Sequence, residues 1–136
     1  TGRAVVVDCR GADAITLPLL RRYDLRGVEF VLFCTGWDRK WGSPAYYEGF
    51  PCLTAEAAAY LASLPLKGVG EDTISLDPCD STDFPNHMTL LGADFVNTEN
   101  LRGLEPLAGR TVTFVTLPLK FENADGCSCR AIAVED

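Results

Sequence analysis

The chain has 136 residues, of which 47% are hydrophobic and 23% charged, and these values are typical of one soluble globular domain, residues 1–136. Its net charge of -7 repels phosphate backbones and argues against nucleic acid as a partner. Its apolar runs are short compared with the ~20 residues of a membrane span, so no membrane partner is expected either.

The cysteines and the N-terminus bear on the cellular compartment. The chain contains six cysteines, and its sequence has no C-x-x-C pair of the zinc-finger type. Reduced thiols in a cytoplasmic protein explain these cysteines more simply than a disulfide framework. The first residues contain no initiator methionine and no signal sequence, and a strand begins almost at once. We therefore predict a cytoplasmic protein whose sequence begins inside a larger fold.

The first half of the chain predicts two strands and two helices. Ala4–Arg10 and Phe30–Thr35 are short apolar runs typical of strands buried on both faces. Thr16–Asp24 is predicted to be a short helix and Thr54–Ser63 a longer, alanine-rich one, each with threonine as its N-cap. A loop is predicted over residues 36–53.

The second half predicts further strands and one short helix. His87–Leu91 is predicted to form one or two helical turns, with Asn86 as the cap and Gly92 as the stop. An Asp-Gly dipeptide at residues 125–126 is typical of a hairpin turn. A short strand is predicted within Leu66–Thr73, and further strands are predicted at Phe95–Thr98, Thr111–Phe121 and Ser128–Val134. Strands that alternate with short helices predict a mixed α/β fold with some parallel pairing.

The only histidine, His87, and Glu99 are candidates for a metal site. Imidazole and carboxylate are both good ligands for Zn or Mn. Twelve residues of separation cannot place the two on one helix face, but a helical turn followed by a reversal and a strand could bring them together. The alternative is an exposed or capping histidine and a surface acid, and the residues alone leave both open.

An aromatic loop, Thr35–Pro51, holds both tryptophans of the chain. Loops that follow buried strands often carry the sites of α/β proteins, so Trp37, Trp41 and Tyr46 could line an apolar or aromatic substrate pocket. A long loop also needs a small core of its own, which aromatic side chains supply. Both interpretations can hold at once.

Asp72 and Asp77 follow a short predicted strand. Carboxylates in such a place can orient a histidine that binds metal. Turn and cap formation by Asp and Ser is the alternative, and it needs no site.

Taken in order, these segments resemble the putative cyclase family of metal-dependent hydrolases, which includes bacterial kynurenine formamidases and isatin hydrolases. The similarity extends from about Val5 to Ala133. It rests on the succession F-V-L-F-C-T-G-W, Y-Y-E-G-F-P, L-T-A-E-A-A-A-Y-L, V-G-E-D-T-I-S-L-D, N-H-M-T-L-L-G, T-E-N-L, L-P-L-K-F and D-G-C-S-C-R-A-I-A. Two residues depart from the family pattern: Glu71 stands at a position that is usually apolar, and Ile74 at one that is often proline.

The resemblance implies a swivelling β/β/α fold, a mixed sheet with short helices, and a divalent metal, commonly zinc or manganese. It places His87 on a metal-ligand histidine and Glu99 on a position that binds metal or transfers protons. The family's other ligands lie in an N-terminal motif, H-x-G-T-H-x-D-x-P-x-H, that this sequence does not contain. We therefore expect the N-terminal part of the family fold to be missing from this sequence.

Two functions follow as hypotheses. In the first, the chain belongs to a metal-dependent, arylformamidase-like hydrolase of a C–N bond in an aromatic or apolar amide, formamide or lactam. The cation polarises the carbonyl and Glu99 acts as ligand or general base. The 136 residues alone are then expected to bind metal weakly and to be inactive.

In the second hypothesis, a degenerate relative serves as a non-catalytic assembly or ligand-binding module. Apolar surface uncovered by the missing segment would favour a homo-oligomer.

Overall fold

The computed structural model describes residues 1–135 and contains eight strands and three short α-helices within that range. Asp136, the last residue of the predicted domain, lies outside the described residues. The strands are β1 (Gly2–Asp8), β2 (Ala14–Ile15), β3 (Phe30–Cys34), β4 (Cys52–Leu53), β5 (Gly68–Glu71), β6 (Val96–Thr98), β7 (Thr111–Pro118) and β8 (Cys129–Val134). The helices are α1 (Leu17–Leu20), α2 (Ala55–Ala62) and α3 (Pro85–Leu91).

Six of the strands form one mixed sheet in the order β6-β5-β3-β1-β7-β8. Strands β1, β3, β5 and β6 pair in parallel, whereas β7 runs antiparallel to β1 and β8 antiparallel to β7. The short strands β2 and β4 pair separately, also in parallel. The predicted mixed α/β fold with short helices and parallel pairing is confirmed.

Two apolar layers cover the two faces of the sheet. Strand β3 is buried along its whole length, as its continuous apolar sequence predicts. Val31 and Phe33 point into the layer that includes Leu61 of α2 and Leu90 of α3. Phe30 and Leu32 point into the opposite layer, which residues of the 101–114 segment complete. The sheet is therefore the middle layer of the described fold.

Gly68 allows β6 to lie close against β5. A Cβ atom on Gly68 would lie 2.2 Å from the backbone oxygen of Val96, so no side chain can occupy this position. The resulting register pairs Val69 with Asn97. Since side chains alternate along strands, Glu71 and Glu99 continue on the same face as that pair.

The first predicted helix is shorter than expected. Thr16 does cap it, accepting a hydrogen bond from the Leu19 amide at 3.4 Å, but α1 ends at Leu20 instead of Asp24. The chain turns away there, and the Tyr23 hydroxyl accepts a hydrogen bond from the backbone of Asp8 at 2.9 Å. Local sequence does not encode this tertiary contact, which holds Tyr23 outside the helix.

The start of α3 was predicted wrongly. Phe84, with a positive φ of 44°, is the N-cap, and Pro85 is the first helical residue. Proline suits this position because it lacks the N–H that would be unpaired there. Asn86 therefore lies inside the helix and does not cap it, while Gly92 follows the helix as predicted.

The C-terminal hairpin does not have the predicted tight turn. Its strands end at Pro118 and begin again at Cys129, and residues 119–128 connect them. The Leu119 amide still donates to the backbone oxygen of Ser128, at 3.4 Å, and the ladder ends there, before Asp125-Gly126. The predicted loop 36–53 is also more ordered than expected. It contains 3-10 helices at Trp37–Lys40 and Pro44–Tyr47, and then β4.

None of the helices among the described residues has the length and apolar character that crossing a membrane requires.

Candidate functional site

The candidate site lies where the parallel strands β5 and β6 end and helix α3 begins. Glu99 directly follows β6, and His87 lies in the first turn of α3. The carboxyl ends of parallel strands meet at one edge of a sheet, where α/β proteins commonly bind ligands. The topology thus explains why two residues distant in sequence meet here.

His87 and Glu99 are in direct contact. Nε2 of His87 lies 3.1 Å from Oε1 of Glu99, and the two side chains are 20% and 34% exposed. The Glu99 carboxylate raises the pKa of His87, burial opposes this shift, and the carboxylate of Asp77 reinforces it. The site therefore combines an imidazole nitrogen and a carboxylate oxygen that solvent can reach.

Asp77 holds both the histidine ring and the start of its helix. Its side chain is fully buried, and its Oδ2 lies 2.8 Å from Nδ1 of His87. The same carboxylate accepts hydrogen bonds from the backbone amides of Asn86 at 3.0 Å and His87 at 3.1 Å. In the protonated ring both nitrogens donate, Nδ1 to Asp77 and Nε2 to Glu99; when the ring is neutral and Nδ1 keeps its proton toward Asp77, the lone pair is on Nε2, available to a cation.

Asn86 anchors α3 to the rest of the fold. Its Nδ2 donates to the backbone oxygens of Leu53 at 2.9 Å and Leu76 at 3.0 Å. These two bonds tie the helix to β4 and to the loop that carries Asp77. The position of His87 is therefore fixed from two directions.

Asn97 was missed by the sequence analysis. Its Nδ2 donates to Oε1 of Glu99 at 3.2 Å and to Oε1 of Glu71 at 3.1 Å, and it lies 3.5 Å from Nε2 of His87. The available signal was its spacing, since a residue two positions before Glu99 at the end of a strand shares its face. Asn97 thus links the exposed pair to a buried acid.

Glu71 is that buried acid. It is fully inaccessible, and burial raises its pKa well above 4.5, with the charge of Glu99 acting in the same direction. Its Oε2 has no hydrogen-bond partner among residues 1–135. The departure from the family pattern noted in the sequence is therefore a buried carboxyl group beside the candidate site.

Asp72 lies elsewhere. Its carboxylate accepts hydrogen bonds from the backbone amides of Thr35, at 3.0 Å, and Gly36, at 2.7 Å. These bonds fix the turn that follows β3. Of the two aspartates proposed to orient the histidine, the structure brings Asp77 to His87 and assigns Asp72 to this turn.

The aromatic loop forms mainly its own core. Tyr46 is buried, and its ring contacts that of Trp41 at a centroid distance of 5.1 Å. Nε1 of Trp37 donates to the backbone oxygen of Tyr46 at 2.8 Å. Trp41, which is 51% exposed, lines a groove of about 900 Å³ that also reaches His87 and Glu99. Of the three predicted pocket residues, Trp41 faces the site, whereas Trp37 and Tyr46 support the loop.

A second cavity, of about 520 Å³, also borders His87 and Glu99. Phe84 forms one wall, with its ring centroid 6.0 Å from that of His87. Phe84 could not be identified from the sequence, because its place in the cavity depends on the left-handed backbone that begins α3. The lining residues are Ile74, Ser75, Pro78, Cys79, Phe84, His87 and Glu99.

Replacing Tyr46 with phenylalanine is expected to lower the free energy of unfolding by about 1–2 kcal/mol. The Tyr46 hydroxyl donates to Oδ1 of Asn100 at 2.8 Å, and the substitution leaves this acceptor unpaired while it preserves the ring packing. Urea denaturation measures the change. Tyr47→Phe, at a neighbouring position that is 52% exposed, is the control and should change stability by less than about 0.5 kcal/mol.

The donor atoms of the site suit a divalent cation as two of its ligands. Nε2 of His87 and the Glu99 carboxylate are the nitrogen and oxygen donors that Zn and Mn accept, and Asp77 orients the imidazole as is usual for ligand histidines. Within residues 1–135, no group of three or more His, Cys, Asp and Glu side chains could hold a metal ion. The described residues therefore fit part of a metal site.

Comparison with known proteins agrees with this architecture. The sequence model of a family described as "Putative cyclase" matches residues 1–78. A kynurenine formamidase from Bacillus cytotoxicus is 29% identical over 131 residues, which are 96% of this chain and 61% of that protein.

Two solved structures are also similar. One, described as a predicted metal-dependent hydrolase from Bacillus stearothermophilus, has a TM-score of 0.83 at 28% identity, over 97% of this chain and 62% of that one. An isatin hydrolase bound to thioisatinate has a TM-score of 0.85 at 25% identity, over 96% of this chain and 58% of that one. The chain therefore spans about three fifths of the length of these relatives.

Proposed function

Because the chain belongs to the putative cyclase family, we propose that it forms part of a metal-dependent hydrolase that cleaves the C–N bond of an amide, formamide or lactam. The observation that carries this proposal is the contact between His87 and Glu99, with Asp77 holding the far side of the imidazole. An oriented imidazole, which binds a cation in its neutral form, and a carboxylate are two of the groups that such a reaction uses.

The names of the relatives support the bond type. They specify a formamidase and an isatin hydrolase. A formamide and the five-membered ring of isatin both contain an acyl C–N bond. The proposed reaction is hydrolysis of this acyl C–N bond. The proposed substrate is a small amide attached to an aromatic or apolar group.

The roles of the residues follow from their atoms. Nε2 of His87 and the carboxylate of Glu99 would hold a divalent cation, zinc or manganese. Such a cation, when bound, supplies Lewis-acid polarisation of the carbonyl and makes water more acidic. Glu99 could instead accept the proton of the attacking water, as it is within reach of the same space. Asp77 keeps the imidazole in the tautomer that leaves Nε2 free.

The cavity beside His87 suits an apolar acyl or aryl group. Phe84, Ile74 and Pro78 supply apolar walls around His87 and Glu99. Trp41 supplies an exposed aromatic ring on the other side, in the groove. An aromatic amide could then place its carbonyl near the His87–Glu99 pair while its ring is buried against these apolar walls.

The 136 residues by themselves are proposed to bind metal weakly and to have no useful turnover. The described part of the chain offers two ligands, whereas hydrolytic metal sites hold three protein ligands and one open position. Further ligands would come from sequence before Thr1 or from another chain.

We also propose a homo-oligomer, which would cover exposed apolar side chains of the hairpin, such as Leu117 and Phe121.

The test compares the gene product, expressed from its natural start codon, with the 136-residue chain. Each is incubated with Zn²⁺ or Mn²⁺ and with an aromatic formamide, an aromatic lactam and an aromatic ester. Cation-dependent release of formate or ring opening by the gene product is expected, with little activity from the 136 residues. A gene product that hydrolyses neither the formamide nor the lactam contradicts the function. Turnover by the 136 residues alone contradicts the incomplete site.

A further inference from the structure

We propose that Glu71 and Asn97 form a carboxylic acid–carboxamide pair that positions Glu99. The pair itself depends only on buried hydrogen bonding. Its importance for catalysis rests on the proposed function, because Glu99 is the residue it would hold in place.

Two neighbouring strands place the pair on one face. Glu71 ends β5, and Asn97 lies in β6 beside Val69. Nδ2 of Asn97 donates to Oε1 of Glu71 at 3.1 Å. The other oxygen of each group, Oε2 of Glu71 and Oδ1 of Asn97, is also buried and lacks a partner within the described part of the chain.

Protonated Glu71 would resolve both unpaired atoms. A carboxylic acid and a primary amide are complementary: the amide N–H donates to one carboxyl oxygen, and the carboxyl O–H donates to the amide oxygen. An ionised Glu71 would instead leave two buried acceptors without a donor, and such groups are costly in a protein interior. The second hydrogen bond of such a pair would run from the Oε2–H of Glu71 to Oδ1 of Asn97, the two atoms that otherwise lack a partner.

This pairing would also fix which side of the Asn97 amide faces the site. With one N–H committed to Glu71, the second N–H is directed to Oε1 of Glu99 at 3.2 Å. If the amide were reversed, its oxygen would face the Glu99 carboxylate and repel it. Glu71 is thus a positioning residue that acts on Glu99 through Asn97.

The surroundings of Glu71 favour its neutral form. The titratable groups whose charge acts on it or responds to it are Glu99 and Asp72, the Tyr46 phenol and the Cys52 thiol. All four are acids; His87 is the nearby base, and its Nε2 lies 3.5 Å from the Asn97 Nδ2 that donates to Glu71. Burial and these neighbours raise the pKa of Glu71 well above 4.5.

Two substitutions in the 136-residue chain separate pairing from packing. Glu71→Gln gives a neutral group whose oxygen can accept from Asn97 and whose amide N–H can donate to Oδ1 of Asn97, so it should form the same double hydrogen bond. Glu71→Met preserves the length of the side chain but offers no donor. Glu56→Gln, at an exposed position in α2, is the matched control.

The first readout is the side-chain amide of Asn97, observed by NMR without metal. Slow hydrogen exchange and two well-separated N–H signals are expected in the wild type and in Glu71→Gln. Both features should be lost in Glu71→Met. Titration with Mn²⁺, followed by the paramagnetic broadening of NMR signals, measures the weak cation binding. The apparent affinity should be similar for the wild type and Glu71→Gln and roughly tenfold lower for Glu71→Met.

The second readout is the pH dependence of unfolding under chelation. Below pH 4.5 the carboxyl group is protonated in both folded and unfolded chains and has no effect. Above that pH the unfolded chain loses the proton while the folded chain retains it. The folding constant therefore falls up to tenfold per pH unit until the raised pKa is reached. Glu71→Gln should lack this component, so its advantage over the wild type should grow with pH.

The results distinguish this proposal from the proposed function. If Glu71→Met leaves the Asn97 amide signals as they are in the wild type, or if Glu71→Gln and the wild type share one pH dependence, the acid–amide pair is wrong. If the pair is present but the gene product hydrolyses neither the formamide nor the lactam, the proposed function fails and the pair stands.

Discussion

Replacing Asp77 with alanine is expected to lower the free energy of unfolding by about 3–5 kcal/mol, the largest stability effect we expect of any single substitution in this site. The carboxylate is fully buried and accepts hydrogen bonds from the amides of Asn86 and His87 and from the His87 ring. Alanine would leave two amides at the start of α3 unpaired and would release the imidazole. Equilibrium urea denaturation at pH 7 measures the loss.

Two further variants, Asp77→Asn and Asp80→Ala, test whether the loss of stability comes from the hydrogen bonds of the Asp77 carboxylate. Asparagine has one acceptor oxygen, so it can pair with only some of the three donors, and its destabilisation should lie between those of the wild type and Asp77→Ala. Asp80 is exposed in the same loop, and its replacement should cost less than about 0.5 kcal/mol. Equal effects of Asp77→Ala and Asp80→Ala would show that Asp77 does not hold the helix.

The sequence predicts the central strands well because their pattern is local. The centre of β1, Ala4–Val7, and the whole of β3 are apolar at every position, and such runs belong to strands covered on both faces. Helix α2 was equally clear from its threonine cap and its alanines. The convergence of His87 on Glu99 was also foreseen as geometrically feasible, because a helix, a reversal and a strand separate them.

The remaining parts of the site depend on contacts between distant residues. Glu71 precedes Asp72 in a polar stretch, so its burial follows only from the packing of β6 against β5. Asn97 gains its role from the same register. Phe84 reaches the cavity through an unusual backbone conformation, which no residue preference of phenylalanine predicts. In each case the determining interaction is tertiary, and the spacing of residues in the chain does not contain it.

Replacing His87 with asparagine is expected to weaken divalent cation binding by at least about 100-fold, equivalent to about 2.8 kcal/mol. Loss of a group that merely orients a ligand costs 10- to 100-fold, and loss of the ligand itself should cost no less. Mn²⁺ titration followed by paramagnetic broadening of NMR signals detects even weak binding by the 136-residue chain. Met88→Ala, at an adjacent position that is 69% exposed, is the control and should bind as the wild type does.

Glu99→Gln then decides between the two roles of Glu99. A ligand role predicts that the affinity for Mn²⁺ falls about as far as in His87→Asn, because an amide is a weaker donor than a carboxylate. A role as general base predicts nearly unchanged affinity, with turnover of the gene product reduced by roughly 100-fold or more. Because Glu99 is 34% exposed and contacts Nε2 of His87 at 3.1 Å, a cation held by that nitrogen would lie within reach of its carboxylate. That proximity is what the ligand role requires, and unchanged affinity in Glu99→Gln would overturn that role.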